Sequence, residues 1–403
     1  MDNNQKKNFR KIETSEQEFE QRLRTHRHRV ARLIALSAGA IILIFCLSLL
    51  YLHFRSYNSY QVKEEIKRND NPDVEYRDYS GNLLKYSRDG AFLIDTHGKL
   101  IWNQTFEMNK PIVDIADQYV GIAAEGGTEL YISSIEKVIG KIETSMPIVQ
   151  IKVSGGGFVA VLLEENENYY VTLYDKEGSQ LAHGEYHIEN SGIPIAMALS
   201  KDCKQLAISF LDVKEGIVKS TVHIYDFTEN GKAQIDNQVA EFSYEGEMAI
   251  QMNYLDHKNL LILTDQQAIL ISDEGKPKQE KTITYDGKVS SVFCNSGCWG
   301  FVSSYNETTK EGSSKSGERL TVYNENGKIV FQKDVFSKDV RVEVLESEFV
   351  AVIAKDKIQL YNSKGLLKFR GNFPSEIVKI KSLDTDRDYL VLLDDQMIRI
   401  KLK

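Results

Sequence analysis

One phrase recurs along the chain, and it limits what the chain can fold into more than any other feature. GAFLIDTHGKLIWNQTF, residues 90–106, reads as an apolar strand, a turn centred on Gly98 and a second strand. It returns as YVTLYDKEGSQLAHGEY around Gly178, AILISDEGKPKQEKTITY around Gly275, LTVYNENGKIVFQKDVF around Gly327 and IQLYNSKGLLKFRGNF around Gly365. VHIYDFTENGKAQIDNQVAEF, around Gly231, is a looser copy. Each phrase is the second half of a longer unit. Its first half recurs as PIVDIADQYVGIAA, PIVQIKVSGGGFVAVLLE, IPIAMALSKDCKQLAISFL, AIQMNYLDHKNLLILTD, VSSVFCNSGCWGFVSS, VRVEVLESEFVAVIAKD and IVKIKSLDTDRDYLVLLDD. From Gly98 the turn glycines at 178, 231, 275, 327 and 365 lie 80, 53, 44, 52 and 38 residues apart. The long first interval holds a degenerate copy near ISSIEK.

Apolar alternation every eight to twelve residues, broken by Gly, Asn, Asp and Ser, predicts strands throughout and an all-β body. A four-stranded unit of about 40 to 45 residues cannot bury its own faces and must stack on neighbours, which is the sequence signature of a β-propeller. The count gives seven or eight blades, with eight preferred; a parallel β-helix would need much shorter coils. The last unit stops at MIRIKLK, as its third strand. VEYRDYS, residues 74–80, is expected to pair there as the missing outer strand and remove an exposed edge. KEEIKR, residues 63–68, reads as a solvated stalk helix, and Trp102 and Trp299 as packing between blades.

Upstream, LIALSAGAIILIFCLSLLYLHF, residues 33–54, holds no charge over 22 positions. As a helix it covers about 33 Å, enough for a hydrocarbon core of about 30 Å. A cleaved signal peptide would have a shorter apolar run, a shorter leader and small residues at a cleavage site, which HFRSYNSY does not offer. RLRTHRHRVAR, residues 22–32, sets five arginines against the span with no acidic residue, whereas the far flank mixes Arg55, Lys63, Lys67 and Arg68 with Glu64 and Glu65. The positive-inside rule therefore predicts a cytoplasmic N-terminus, and the HRHR cluster is a topogenic signal rather than a metal site. The expected organisation is a basic, helical cytoplasmic tail over 1–32, a transmembrane helix over 33–54, a juxtamembrane stalk over 55–72 and an extracytoplasmic propeller over 73–403. The tail is too short for a kinase or any other catalytic domain.

Charge follows the same division. Residues 1–32 carry nine Lys/Arg against five Asp/Glu, leaving 41 against 53 for the remainder. An acidic body argues against nucleic acid as partner. Four cysteines cannot staple a chain of 403 residues. Cys294 and Cys298 flank a short turn in VFCNSGCWG, where a hairpin could set them across from each other and permit a disulfide. The same pair has half the spacing of a zinc site, but no second Cys or His pair follows.

At YSRDGAFLIDTHGKLIWNQTFEMNKPIVDI, MPIVQIKVSGGGFVAVLLE and ALSKDCKQLAISFLD the chain resembles an uncharacterised family of single-pass membrane proteins of Gram-positive bacteria, a domain of unknown function, over roughly residues 70–403. More distantly it is similar to WD40-like and quinoprotein-like propellers. ALSKDCKQLAIS resembles the Ser-x-Asp-Gly-Lys turn of the former, with Cys203 where glycine would stand. The resemblance implies a surface-exposed propeller and supplies no activity or site residues.

No catalytic constellation, cofactor site or metal site is read from the chain. A quinoprotein enzyme would need calcium ligands and a base in the funnel, and SRDGAFLID, residues 87–95, fits only half of a sialidase box. HGEYH places His183, Glu185 and His187 on one face of a strand, a spacing foreign to the helical HExxH motif, and reads as a surface strand. NETTKEGSSKSGER, residues 306–319, reads as a solvated loop inserted in one blade. The expectation is a non-enzymatic binding or scaffold module, held to the bilayer by residues 33–54 and docking a protein, peptide or cell-wall glycan. The alternative is an enzyme or cofactor-dependent sensor using the central funnel.

Overall fold

The repeated glycine is set by backbone geometry. Gly98, Gly178, Gly327 and Gly365 have φ of 78°, 91°, 66° and 74°, the left-handed region that costs a side-chain-bearing residue about 1–2 kcal/mol. Each glycine amide donates to the carbonyl three residues earlier, on Asp95, Asp175, Asn324 or Asn362, at 2.8–3.0 Å. The side-chain oxygen of that same residue then accepts two further amides: His97 and Lys99 on Asp95, Glu177 and Ser179 on Asp175, Asn326 and Lys328 on Asn324, Lys364 and Leu366 on Asn362. A turn, a left-handed glycine and a bulge make each of these outer hairpins, with the register shifting one step inside the turn. Gly231 works differently. It lies in a short helix, Glu229–Lys232, where a Cβ would come within 1.7 Å of the Asp226 carbonyl oxygen.

The computed structural model describes residues 16–68, 73–214, 216–273, 276–295, 297–308, 314–336, 339–346, 349–383 and 385–403. Gly275 and residues 1–15 lie outside them. A helix of 39 residues runs from Glu16 to Phe54, and its segment Phe19–Tyr51 is long and apolar enough to cross a membrane. From Tyr57 to Lys403 the chain forms a second compact unit, an eight-bladed propeller of four-stranded antiparallel sheets. Blades 1 to 7 occupy 75–105, 111–143, 148–187, 193–245, 249–284, 289–334 and 341–372, each with its first strand innermost. Antiparallel alternation puts the first-to-second and third-to-fourth turns on one face, and the second-to-third hairpins and blade crossings on the other.

Blade 8 closes the ring. Its first three strands are Ile377–Ser382, Asp388–Leu393 and Gln396–Leu402, and its outer strand is Tyr60–Lys67. The register runs from Tyr60 opposite Leu402 to Lys67 opposite Gln396. This corrects two expectations. VEYRDYS does not close the ring: Glu75–Tyr79 is the innermost strand of blade 1. KEEIKR is no helix but most of the closing strand. An outer strand needs few apolar residues, so its pattern is faint: Tyr60 stacks on Phe373 at 4.8 Å, Ile66 packs beside Met397, and the charges between them blunt the free edge.

Eight buried apolar clusters fill the eight seams between blades. Trp102 and Trp299 sit in two of them, as expected of interblade packing: Trp102 donates to the Ser134 carbonyl of blade 2 at 3.0 Å, and Trp299 stacks on Tyr323 against the leucines of blade 5. The seam between blades 8 and 1 is the poorest, with four buried apolar side chains against eight to sixteen elsewhere. At about 2 kcal/mol per buried side chain, it gathers roughly half or less of what its neighbours do. Charge makes up part of the difference. Lys379 lies 3.2 Å from Asp78 of blade 1 and 3.0 Å from Glu343 of blade 7. Lys381, 2% exposed, lies 3.5 Å from Asp78 and 3.1 Å from Glu346. Arg341 donates to the Val378 carbonyl at 2.8 Å, tying blade 7 to blade 8.

NETTKEGSSKSGER is not a loop. Strands Cys298–Thr308 and Ser314–Asn324 run through most of it, pairing outward to Thr308 opposite Ser314; residues 309–313 lie outside the described residues. Its Ser, Thr and alternating charges suit a strand solvated on both sides, which a search for apolar alternation misses.

Three outcomes follow from these interactions. Gly178→Ala is expected to cost about 1–2 kcal/mol in urea unfolding of the full chain, whereas Gly140→Ala, with only the Lys176 carbonyl at 3.9 Å, changes little. Lys381→Ala empties a buried position beside Asp78, which keeps Lys379, and is expected to cost about 1–2 kcal/mol, with Lys381→Met costing less because the stem packing survives; equal, near-zero losses would contradict the seam. Burial lowers the Lys379 pKa, but Asp78 and Glu343 outweigh it and hold it above the usual 10.5. Its contribution is therefore complete below pH 10.5 and lost above, so unfolding midpoints of wild type and Lys379→Met should converge only in strong alkali.

Candidate functional site

The innermost strands converge on the axis, and their ends carry polar side chains because the edge of a first strand has no neighbour to bury it. A cavity of about 250 Å³ opens there, lined by Asp114, Asp117, Lys152, Lys201, Asn253 and Asn295 among others. Its charges are matched across blades. Lys152 lies 3.2 Å from Asp114, whose other oxygen accepts the Val153 amide at 2.7 Å. Lys201 lies 4.0 Å from Asp117. Gly155 leaves room for that carboxylate: a Cβ would stand 2.4 Å from its oxygen. With the Asp78, Glu343, Glu346, Lys379 and Lys381 cluster at the closing seam, the axis is a belt of ion pairs that holds blades together.

The residues singled out from the sequence lie elsewhere. His183, Glu185 and His187 alternate along the outer strand of blade 3 and are all exposed. His183 shares a hydrogen bond with the Thr172 hydroxyl at 3.0 Å, and His187 donates from Nδ1 to Asn168 at 2.7 Å, so the two histidines are held within their own sheet. No group of three metal-binding side chains occurs among the described residues. Cys294 pairs in register with Trp299, and Cys298 with Asn295, so the two thiols project from opposite faces of the sheet into different seams. No disulfide joins them. Burial pushes the Cys294 thiol up to about 12, away from the reactive range. Cys203 has φ of 58°, the left-handed position where the resembling turn has glycine. The turn is held by the Ser200 hydroxyl, which accepts the Lys204 and Gln205 amides.

Large pKa displacements mark packing rather than a reaction centre. Burial raises the pKa of the buried tyrosines Tyr79, Tyr244 and Tyr389 and of the half-buried Tyr285. Asp334 is lowered to about 2, first by Lys315 against a small burial effect, then by Arg319 and Tyr305. All three partners rise from the long hairpin of blade 6, which this carboxylate pins at its root.

Sequence reading passed over an exposed apolar group on the face that bears the second-to-third hairpins. Ile193, Val213, Ile217, Met248 and Ile250 are 42%, 60%, 60%, 37% and 56% exposed. They come from the start of blade 4, the tip of its long hairpin Gln205–Lys214 and Ile217–Asp226, and the start of blade 5. Each sits singly in an unremarkable strand; only the fold gathers them at one end of one seam.

Solved structures similar to the chain are propellers of low identity. BamB from Moraxella catarrhalis matches at 12% identity and a TM-score of 0.49, over 85% of this chain and 100% of that one. Sqt1 from Saccharomyces cerevisiae matches at 11% and 0.50, over 86% and 99%. AztD from Citrobacter koseri matches at 10% and 0.48, over 75% and 87%. At these identities the likeness concerns the fold alone. The comparison with curated proteins returns no match. Residues 53–402 match the family described as "Family of unknown function (DUF5711)", and the protein belongs to that family.

Proposed function

We propose that the protein is a membrane-anchored, extracytoplasmic docking module without enzymatic activity, whose propeller binds a protein or peptide on the face that carries Val213, Ile217, Met248 and Ile250. The observation that carries this reading is the contrast between axis and face. At the axis, carboxylates and ammonium groups neutralise one another across blades, and the cavity of about 250 Å³ falls below the usual ligand range of about 300–1,000 Å³. On the face, apolar side chains cluster in water beside a protruding hairpin, the pattern of a protein contact. The apolar helix and the five arginines before it support an anchor with its basic flank inside and the propeller outside. A cell-wall glycan is the less favoured partner for this face, since no aromatic ring stands among the exposed residues that define it.

Two experiments test this reading. A photo-crosslinking residue at position 217 in intact cells is expected to give a discrete heavier adduct that Val213→Glu abolishes, while the same probe at Ile329, on the opposite rim, gives none. Equal labelling at both positions, or none at 217, counts against the docking face. Protease added outside intact cells should degrade the propeller without lysis; protection until lysis would reverse the orientation.

A further inference from the structure

Four residues after the turn glycine, the outer strand turns a side chain into the seam. In blades 1, 6 and 7 that side chain is Trp102, Phe331 and Phe369, respectively 7%, 8% and 0% exposed. In blade 3 the same position is Ala182, followed two residues on by Gly184. The aromatic that would close the outer part of the seam between blades 3 and 4 is missing there. A cavity of about 520 Å³ stands in its place, with Ala182 and Gly184 in its wall.

Blade 4 contributes to the same opening. Its outer hairpin lacks the tight Asp/Asn-x-x-Gly turn; residues 227–237 instead make a short helix and a turn in which Asp236 and Asn237 both have positive φ, at 55° and 58°. This excursion roofs the cavity with Phe227 and Asp236. Two departures from the repeat, one in each blade, thus meet at one place, and the result lies within the size range of small-molecule sites.

The lining is chemically selective. Tyr186 and Tyr225, ring centroids 6.3 Å apart, form an aromatic wall with Phe227, and the His223 Nδ1 lies 3.2 Å from the Tyr225 hydroxyl. Asp236 stands in the lining and Glu241 lies 3.6 Å from His223 Nε2, whereas the Glu185 side chain turns to the opposite face of its strand, beside Tyr170. Neither Asp236 nor Glu241 pairs with a lysine or arginine among the described residues, and no lysine or arginine lines the cavity. Burial lowers the His223 pKa against the pull of Glu241, so the imidazole adds no positive charge near neutral pH. Aromatic faces combined with uncompensated carboxylates attract an organic cation, through the ring quadrupoles and through charge.

We infer that the cleft between blades 3 and 4, opened by Ala182 and walled by Tyr186, Tyr225 and Asp236 with Glu241 beside His223, is a binding site for an organic ammonium group, carried by a small amine or by a lysine side chain. It is separate from the docking face proposed above, and neither needs the other.

The test is ligand-observed NMR on the full chain in non-ionic micelles, with N-acetyl-lysine methylamide as probe and its N-ε-acetylated, uncharged counterpart as control. Saturation transfer to the charged probe, at least tenfold weaker for the neutral one, is the expected result. Ala182→Phe restores the aromatic of blades 1, 6 and 7; it should abolish transfer without lowering the melting temperature. Asp236→Asn with Glu241→Gln keeps the cavity and the fold, and should weaken the charged probe at least tenfold. Equal binding of both probes, or binding that survives Ala182→Phe or the double carboxylate change, overturns the inference, as does no binding of the charged probe to wild type.

Discussion

Everything in the propeller depends on the pairing of Tyr60–Lys67 with Gln396–Leu402. A blade is a four-stranded sheet with two apolar faces, and neither face is buried until another blade lies against it. A ring satisfies every blade only if it closes, and this ring closes by taking one strand from the beginning of the body and three from its end. Backbone hydrogen bonds bracket the join: the Arg68 amide donates to Asp395 and the Lys403 amide to Ser59. The neighbouring seam is the thinnest in apolar burial and is reinforced by lysines buried among carboxylates of blades 7 and 1.

That arrangement explains why charge at the axis is a poor guide to chemistry here. A buried ion pair contributes only when both partners are present and well placed, and it fixes alignment more than it adds stability. Asp78, Lys379 and Glu343 lie on three successive blades, so they set the relative position of the first and last units. Departures from the repeat say more about function. They occur where a blade lengthens its hairpin, leaves isoleucines in water, or omits the aromatic that blades 1, 6 and 7 place in the seam.

The repeat was legible because its grammar is local. In four copies a left-handed glycine and an Asp or Asn that gathers the turn amides occur at fixed spacing, and apolar alternation on either side gives strand and face. The closing strand was not legible: at an edge only Tyr60 and Ile66 turn inward, and KEEIKR, which holds Ile66 among charges, satisfies helix rules equally well. The hairpin of blade 6 escaped for the same reason, since a strand wet on both sides shows no alternation. Cys203 is intermediate. The turn was recognised from Ser200 and Asp202, and the left-handed backbone at the cysteine accords with the glycine it replaces. The cleft beside Ala182 was visible in principle, as an alanine aligned with Trp102, Phe331 and Phe369, but only the fold shows that this column of the repeat faces a seam.

Amide hydrogen exchange along Gln396–Leu402 tests the central claim most directly, comparing the full chain with one lacking residues 57–68. If the borrowed strand closes the ring, its removal will strip protection from Gln396–Leu402 and then from the amides of blade 1, whose seam with blade 8 loses Ile66. Protection unchanged in both places would mean that the ring holds itself shut by other means, and would contradict the account.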